Sequence, residues 1–281
     1  MLTDKQKAER RLGIGGSDVA AIFGLSSYKT RYQLYLEKLG LLDTDSNTNE
    51  LMYWGNRLES IIIDEFEKRN NVEVETPDTV IHPCFDFMRA NLDGYIPATN
   101  HVLEIKCANY HAMKQWGEPG SDNIPLPYLL QVAHYVACTN AKGAVIAVLV
   151  GGNEYREYYY KRNYDLENDM IEEISAFWDC VMSKTEPPAV SMVDITLKFP
   201  MHIRFKEVIA QQEHFNAIEQ YNHAKREIKA LKELQEEAKF VIASHMKDAE
   251  MLVDIDSNVL ATYKTNKAGN RTMSIKENKH D

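Results

Sequence analysis

Two carboxylates and an amine lie close together in the stretch from Met88 to Lys106, MRANLDGYIPATNHVLEIK. The pattern predicts a strand ending at Asp93, a turn through Gly94 to His101, and a second strand from Val102 to Lys106. Side chains alternate along a strand, so Leu103 and Ile105 share one face while Glu104 and Lys106 share the other. If the two strands pair, Asp93 comes beside Glu104. Carboxylate oxygens are the hard ligands that Mg²⁺ prefers, and Mg²⁺ takes only one or two of them from a protein, with waters and phosphate completing its shell. A neighbouring lysine can hold or help deprotonate the attacking water. The same residues also fit a solvated salt-bridge pair beside an ordinary Asp-Gly turn, so the surroundings must decide.

A second stretch with chemical potential is Arg10-Arg11-Leu12-Gly13-Ile14-Gly15-Gly16-Ser17-Asp18, followed by the helical pattern VAAIFG. Ser17 is a good N-cap, and the glycines let the backbone approach a ligand closely. A helix N-terminus is a ready anion site, and Arg11 adds a planar donor fork suited to phosphate. The structural alternative is a glycine turn with Ser17 as a plain cap.

The elements that must position these groups can be read along the chain. Thr30 to Leu39 is a helix capped by Thr30 and ended by Gly40. Leu41 to Glu50 is polar and reads as an exposed loop. Met52 to Asn70 is a helix whose stripe of Leu58, Ile61, Ile62, Glu65 and Phe66 is expected to pack inward. Glu59 lies beside that stripe, where a carboxylate needs a partner and a metal would supply one; exposure is the usual fate of a helical Glu. Val72 to Val74, Val80 to Pro83 and Phe85 to Asn91 supply short strands, and Asn109 to Trp116 reads as a helix entry. Tyr128 to Cys138 is a helix with Gln131, His134 and Tyr135 on one face, a stripe that can line a site but is more often the solvent side. Ala144 to Val150 is an apolar strand, Glu154 to Lys161 an alternating one, and Tyr164 to Met182 an amphipathic helix. This order predicts an α/β core with a mixed central sheet flanked by helices.

Beyond Pro188 the texture changes, which divides the chain into a core, 1–188, and an extension, 189–281. Phe205 to His245 is charged and helical, with apolar residues at Phe215, Ile218, Tyr221, Ile228, Leu231, Leu234, Ala238 and Val241 that fit a narrow seam, in one long helix or a hairpin of two. Met251 to Lys264 reads as a β-hairpin turning near Ser257-Asn258, and Asn266 to Asp281 as a polar, mobile tail.

The 281 residues are 44% hydrophobic and 26% charged, as expected of a globular chain with a sizeable core. No apolar run is long enough to span a membrane, and the charged N-terminus lacks a signal-peptide core, which points to the cytoplasm. Cys84, Cys107, Cys138 and Cys180 stand apart, with no zinc or redox spacing; they are expected to be reduced and mostly buried. A protein that coats DNA is usually basic, so the net charge of −10 favours a narrow contact in a basic groove over a broad one.

Four stretches in order, RLGIGGSDVAAIFG, WGNRLESIIIDEF, LDGYI…LEIK and LLQVAHY, resemble the YqaJ-like viral recombinases, relatives of phage lambda exonuclease. These belong to the nuclease superfamily marked by Asp…(Asp/Glu)-x-Lys. The resemblance covers residues 8 to 185 and implies a restriction-endonuclease-like core. It implies that Asp93 and Glu104 ligate metal with the backbone carbonyl of Ile105, that Lys106 orients or activates water, and that Glu59 helps hold the metal or its water. Gln131 and Tyr135 match the glutamine and tyrosine of a Gln…Tyr motif, the glutamine near the scissile phosphate or the water and the tyrosine in a more structural role. Arg11 and Ser17 match an element that grips a 5′-phosphate. Leu92 departs from the proline often found before the aspartate. The implied activity is a Mg²⁺-dependent exonuclease, with Mn²⁺ able to substitute, that degrades double-stranded DNA from 5′ ends. It would leave 3′ single strands for an annealing protein, and related enzymes form trimeric rings. A structure-specific endonuclease and a catalytically silent DNA- or protein-binding module are the alternatives on the same fold.

Overall fold

The computed structural model describes residues 4–42 and 50–276. Most of the expected polar loop (43–49) and the end of the expected tail (277–281) lie outside the described residues. The chain forms two compact units, 1–202 and 203–281.

The first unit runs α1 (Asp4–Arg11), β1 (Ile14–Gly15), α2 (Gly16–Ile22), α3 (Arg31–Lys38), α4 (Glu50–Asn70), β2 (Val80–Ile81), β3 (Met88–Ala90), β4 (Gly94–Ile96), β5 (His101–Ala108), α5 (Leu126–Thr139), β6 (Gly143–Val150), β7 (Glu154–Lys161), α6 (Tyr164–Ser183) and α7 (Met192–Lys198). Its main sheet has the order β4-β5-β6-β7. β5 and β6 run parallel, and the outer pairings are antiparallel, so the sheet is mixed as the sequence predicts. Parallel neighbours need a crossover, and α5 supplies it.

The alternation of β5 and β6 divides the core between the two sheet faces. Leu103, Ile105, Val145 and Ala147 meet Ile62 and Phe66 of α4. Val102, Ala144, Ile146 and Val148 meet Val132, Ala133 and Val136 of α5. A one-residue slip of β5 would move Glu104 into the α4 layer, so apolar burial fixes the register that aims Glu104 and Lys106 together. A second, small sheet sets β1 parallel to β3, with Gly15 opposite Arg89, and β2 antiparallel on the other side. Gly13 is required there: a Cβ would stand 2.2 Å from the Phe87 carbonyl oxygen. The Arg-Gly-rich stretch is thereby anchored to the strand that leads into Asp93.

Several local expectations are revised. The first strand of the expected hairpin does not end at Asp93: β3 stops at Ala90, and β4 begins at Gly94, pairing Gly94 with Leu103. Gly94 is a close-approach glycine, since a Cβ would come 2.5 Å from Val74 Cγ1. The turn falls after Ile96, with Asn100 at φ 57°. Val72–Val74 stays outside any strand, and Glu75 makes a single bridge to Tyr95. Within 109–116 the helical part is a 3-10 turn, Ala112–Gln115. Ile61 is exposed, and Ile63 packs with Leu58, Ile62 and Phe66 instead. Of the cysteines, all unpaired, only Cys138 is buried, while Cys84 and Cys107 are exposed.

The first unit extends past Pro188 to His202. Asp194 of α7 is fully buried and accepts hydrogen bonds from Thr30 Oγ1 (2.6 Å) and Val190 N (2.9 Å). These bonds, with Leu197 packed on the core, tie α7 to the helices before it and move the division beyond the change in texture.

The second unit holds α8 (Gln212–Met246) and a three-stranded sheet of β8 (Met251–Val253), β9 (Val259–Thr265) and β10 (Arg271–Ile275), in the order β10-β9-β8. α8 is one continuous helix of about 52 Å. Ser257, at φ 65°, turns β8 into β9 as expected. The expected tail contains β10, which pairs with β9 along its length. Among the described residues no helix is long and apolar enough to cross a membrane.

Candidate active site

Glu104, on β5, is 2% exposed although it carries a carboxylate. Burying a charge is costly unless it is paired and hydrogen-bonded. Its Oε1 accepts from Lys106 Nζ and from Gln131 Nε2, the latter at 2.8 Å. Its Oε2 is buried with no hydrogen-bond partner. Asp93 stands alongside, because its Oδ2 accepts the Ile105 amide at 2.8 Å. β4 pairs with β5 only as far as Leu103, so the edge of β5 beyond it is open. A strand residue sends its N–H and C=O to the same side, so the Ile105 carbonyl faces the edge at which Asp93 sits. Glu59, half-buried on α4, is within electrostatic range of Asp93 and Lys106.

The charges strain one another. Burial pushes the Glu104 carboxyl up to about 7, and Asp93 adds to the rise while Lys106 opposes it. Burial also raises Asp93, against the Ile105 amide and Lys106. Glu59 is raised by burial and by Asp93. Burial alone would lower Lys106, but the charge and hydrogen bond of Glu104 hold it above its ordinary value. Three carboxylates disfavoured by burial, with Glu104 and Glu59 further disfavoured by their acidic neighbours and Glu104 carrying an orphaned oxygen, form an environment that a cation would relieve. Among the described residues no three acidic, imidazole or thiol groups converge into a complete metal cage. Mg²⁺ needs none, since it retains waters beside one or two carboxylates, and the donor set fits such an ion.

α5 closes the site from the other side. Gln131 Nε2 also donates to Tyr135 Oη at 3.0 Å, and Tyr135 is 5% exposed. The polar face of α5 therefore points inward and is not its solvent side. His134 is fully buried elsewhere, with Nε2 3.0 Å from the Arg89 carbonyl oxygen and Nδ1 unpartnered. Burial lowers its pKa to about 4, so it is neutral. The Tyr128 ring, 5.2 Å from Lys106 Nζ, was not among the expected groups and adds a cation–π contact.

The Arg-Gly-rich stretch reaches the same neighbourhood through Tyr135. A Cβ on Gly16 would stand 2.4 Å from the Tyr135 ring, so only glycine lets α2 begin there. Ser17 is exposed but is not the N-cap: Gly15, extended by pairing with β3, occupies that position, and its amide donates to Asp18 Oδ2 at 3.2 Å. Arg11 is exposed at the end of α1. Asp18 and Lys38 were missed as site-building residues. Their ion pair, Nζ to Oδ2 at 2.6 Å, joins α2 to α3. The available signal was Asp18 three residues after a cap position, the acidic half of a capping box.

The first unit is a mixed α/β fold whose central strand carries Glu104 and Lys106, with Asp93 at its open edge. A crystal structure of an alkaline exonuclease, LHK-Exo from Laribacter hongkongensis, superposes with a TM-score of 0.54 at 21% identity, over 65% of this chain and 94% of that one. Residues 7–142 match the model of the YqaJ-like viral recombinase domain. The chain is also 30% identical over 263 residues to the uncharacterized protein YqaJ of Bacillus subtilis (strain 168), covering 89% of this chain and 80% of that protein. The chain belongs to the YqaJ-like viral recombinase family.

Proposed function

We propose that this protein is a divalent-metal-dependent DNA exonuclease that digests duplex ends from the 5′ side and leaves 3′ single strands for recombination. The observation that carries the reading is the buried, unpartnered Glu104 Oε2 beside Asp93, with Lys106 and Gln131 both bound to the other oxygen of the same carboxylate. Asp93, Glu104 and the Ile105 carbonyl would hold Mg²⁺, or Mn²⁺ in its place, with Glu59 holding the metal or its water. When bound, the ion would polarise the scissile phosphate and lower the pKa of the attacking water. Lys106 orients that water and keeps positive charge beside the phosphate. Gln131 fixes the Glu104 carboxylate, and Tyr135 fixes Gln131. Arg11 and Ser17 grip the terminal 5′-phosphate, which makes the enzyme dependent on an end.

In this reading an annealing protein receives the 3′ strand, and copies of the chain assemble as a ring, a trimer, around the duplex. That arrangement would gather basic groups inside while the exterior keeps the acidic balance of −10. A phage or prophage enzyme of this kind would work in the bacterial host cytoplasm.

End-labelled linear duplex tests the reading. The expected result is Mg²⁺-dependent early release of 5′-labelled mononucleotide with the 3′ label persisting, and no attack on covalently closed circular DNA. First release from the 3′ end would remove the role of Arg11 and Ser17, and cutting of closed circles would favour an endonuclease.

A further inference from the structure

The proposed grip on a 5′-phosphate depends on two residues, Arg11 and Ser17, that are exposed and lie on separate elements. Something must hold them in a fixed relation, because a phosphate clamp whose parts drift loses its advantage over solvent. The backbone between them, Leu12 to Gly16, contains three of the chain's glycines and has little stiffness of its own.

Behind this backbone stands a buried lysine. Lys38, at the C-terminal end of α3, is 8% exposed. Its ammonium donates to the carbonyl oxygen of Arg10 at 2.7 Å and to Asp18 Oδ2 at 2.6 Å. The Arg10 carbonyl belongs to the peptide that begins Arg11, and Asp18 follows Ser17 directly. Asp18 Oδ2 also accepts the Gly15 amide at 3.2 Å. A single ammonium–carboxylate pair thus pins the chain on both sides of the glycine turn. Lys29 adds a second amine, 3.8 Å from Asp18 Oδ1. Burial would raise the Asp18 carboxyl, but Lys38 and then Lys29 keep it below the usual carboxylate range and charged.

A second observation points to the same end of α3. A Cβ on Gly40 would lie 3.0 Å from Arg11 Cζ and Nη1, so the guanidinium rests on the bare backbone there. Gly40 has φ 72°, a conformation suited to glycine. The end of α3 therefore holds the root of Arg11 through Lys38 and its tip through Gly40.

We propose that Lys38 and Asp18 are positioning residues for the 5′-end grip, setting the distance and angle between Arg11 and Ser17. The proposal rests on the reading of Arg11 and Ser17 given above, and its prediction is specific. Loss of the pair weakens discrimination between 5′-phosphorylated and 5′-hydroxyl ends, whereas general loosening of the core lowers both rates together.

The test uses the full chain with Mg²⁺ and two linear duplexes that differ only in the 5′-terminal group. The rate ratio, phosphate over hydroxyl, is read for the parent, Arg11→Ala, Lys38→Met and the double variant Asp18→Leu/Lys38→Met. Replacing both members of a buried ion pair with apolar side chains commonly preserves stability, so the double variant remains informative where the single one unfolds. The expected result is a ratio lowered about tenfold in Arg11→Ala and by a similar factor in the folded Lys38 variants, expressed in KM for the phosphorylated end. Lys38→Arg should recover part of the ratio. If Arg11→Ala lowers the ratio while the double variant, with a parental melting temperature, keeps it, the positioning role is wrong. If Arg11→Ala itself keeps the parental ratio, the grip fails first and the positioning role falls with it.

Discussion

α5 and α8 both repeat apolar residues at helical spacing, α5 within a mostly apolar run and α8 as a thin seam in a charged one, and they have opposite fates in the structure. α5 has 14 residues, eight of them buried, including His134 and Tyr135. α8 has 35 residues and buries only Met246, while Phe215, Ile228, Leu231 and Leu234 are more than half exposed. The difference lies in what surrounds each helix. α5 is enclosed by the main sheet, α2 and α6 within its own unit, so even its polar positions are inside and must find partners. α8 relies on side chains of its own, such as the Lys229–Glu233 and Lys239–Glu236 pairs, each worth a few tenths of a kcal/mol. A three-four spacing of apolar residues gives a face; it does not give the surface that covers it.

Truncation at matched leucines should separate the two helices most strongly. Leu130→Ala, at a site 2% exposed in α5, should cost about 2–5 kcal/mol in the denaturation of the core. Leu231→Ala, at a site 65% exposed in α8, should change it by less than about 0.5 kcal/mol. Equal costs would mean that α8 is covered in solution.

The buried imidazole of α5 gives the next effect. His134 has a folded pKa of about 4, below the ordinary unfolded value. Above pH 6.5 both states are neutral and its contribution is fully present. As the pH falls from about 6.5 towards 4 the unfolded chain takes up a proton that the fold refuses, so stability is lost, on the order of 3 kcal/mol in all. Melting curves between pH 7.5 and 4.5 should show a shallower decline for His134→Gln than for the parent. Parallel declines would remove His134 from the account.

Gln131 separates fold from chemistry on the same helix. Gln131→Ala should reduce cleavage about 10²-fold while changing stability by only about 1 kcal/mol, because Lys106 still binds Glu104. Loss of stability without loss of activity would make Gln131 a packing residue.

Much of this was legible in the residues. Thr30 caps α3 as expected, with Gln33 completing a reciprocal cap that the sequence reading did not name, and Gly40 follows its end. The apolar run of β6 and the alternation of β7 marked strands within a residue of their observed bounds. The alternation in β5 separated Glu104 and Lys106 from Leu103 and Ile105 as observed. What was not legible depended on contacts distant in sequence. Gly94 reads as a turn because Asp-Gly usually is one, yet its reason is the close approach of Val74 and Leu103. Lys38 ends a helix, where a lysine normally faces water; only the return of Arg10 and Asp18 against it makes it buried. The inward turn of Gln131 and Tyr135 needed the site on β5 to be known first.

In the function we propose, the buried carboxylate of Glu104 is the heart of a metal-dependent nuclease. The most direct test compares the parent with Glu104→Gln on linear duplex DNA, with Mg²⁺ or EDTA, alongside DNA affinity by fluorescence anisotropy. The account predicts digestion by the parent only with Mg²⁺, a loss of about 10³-fold or more in Glu104→Gln, and DNA binding retained by the variant. Digestion by Glu104→Gln at the parental rate, or by the parent in EDTA, would contradict it.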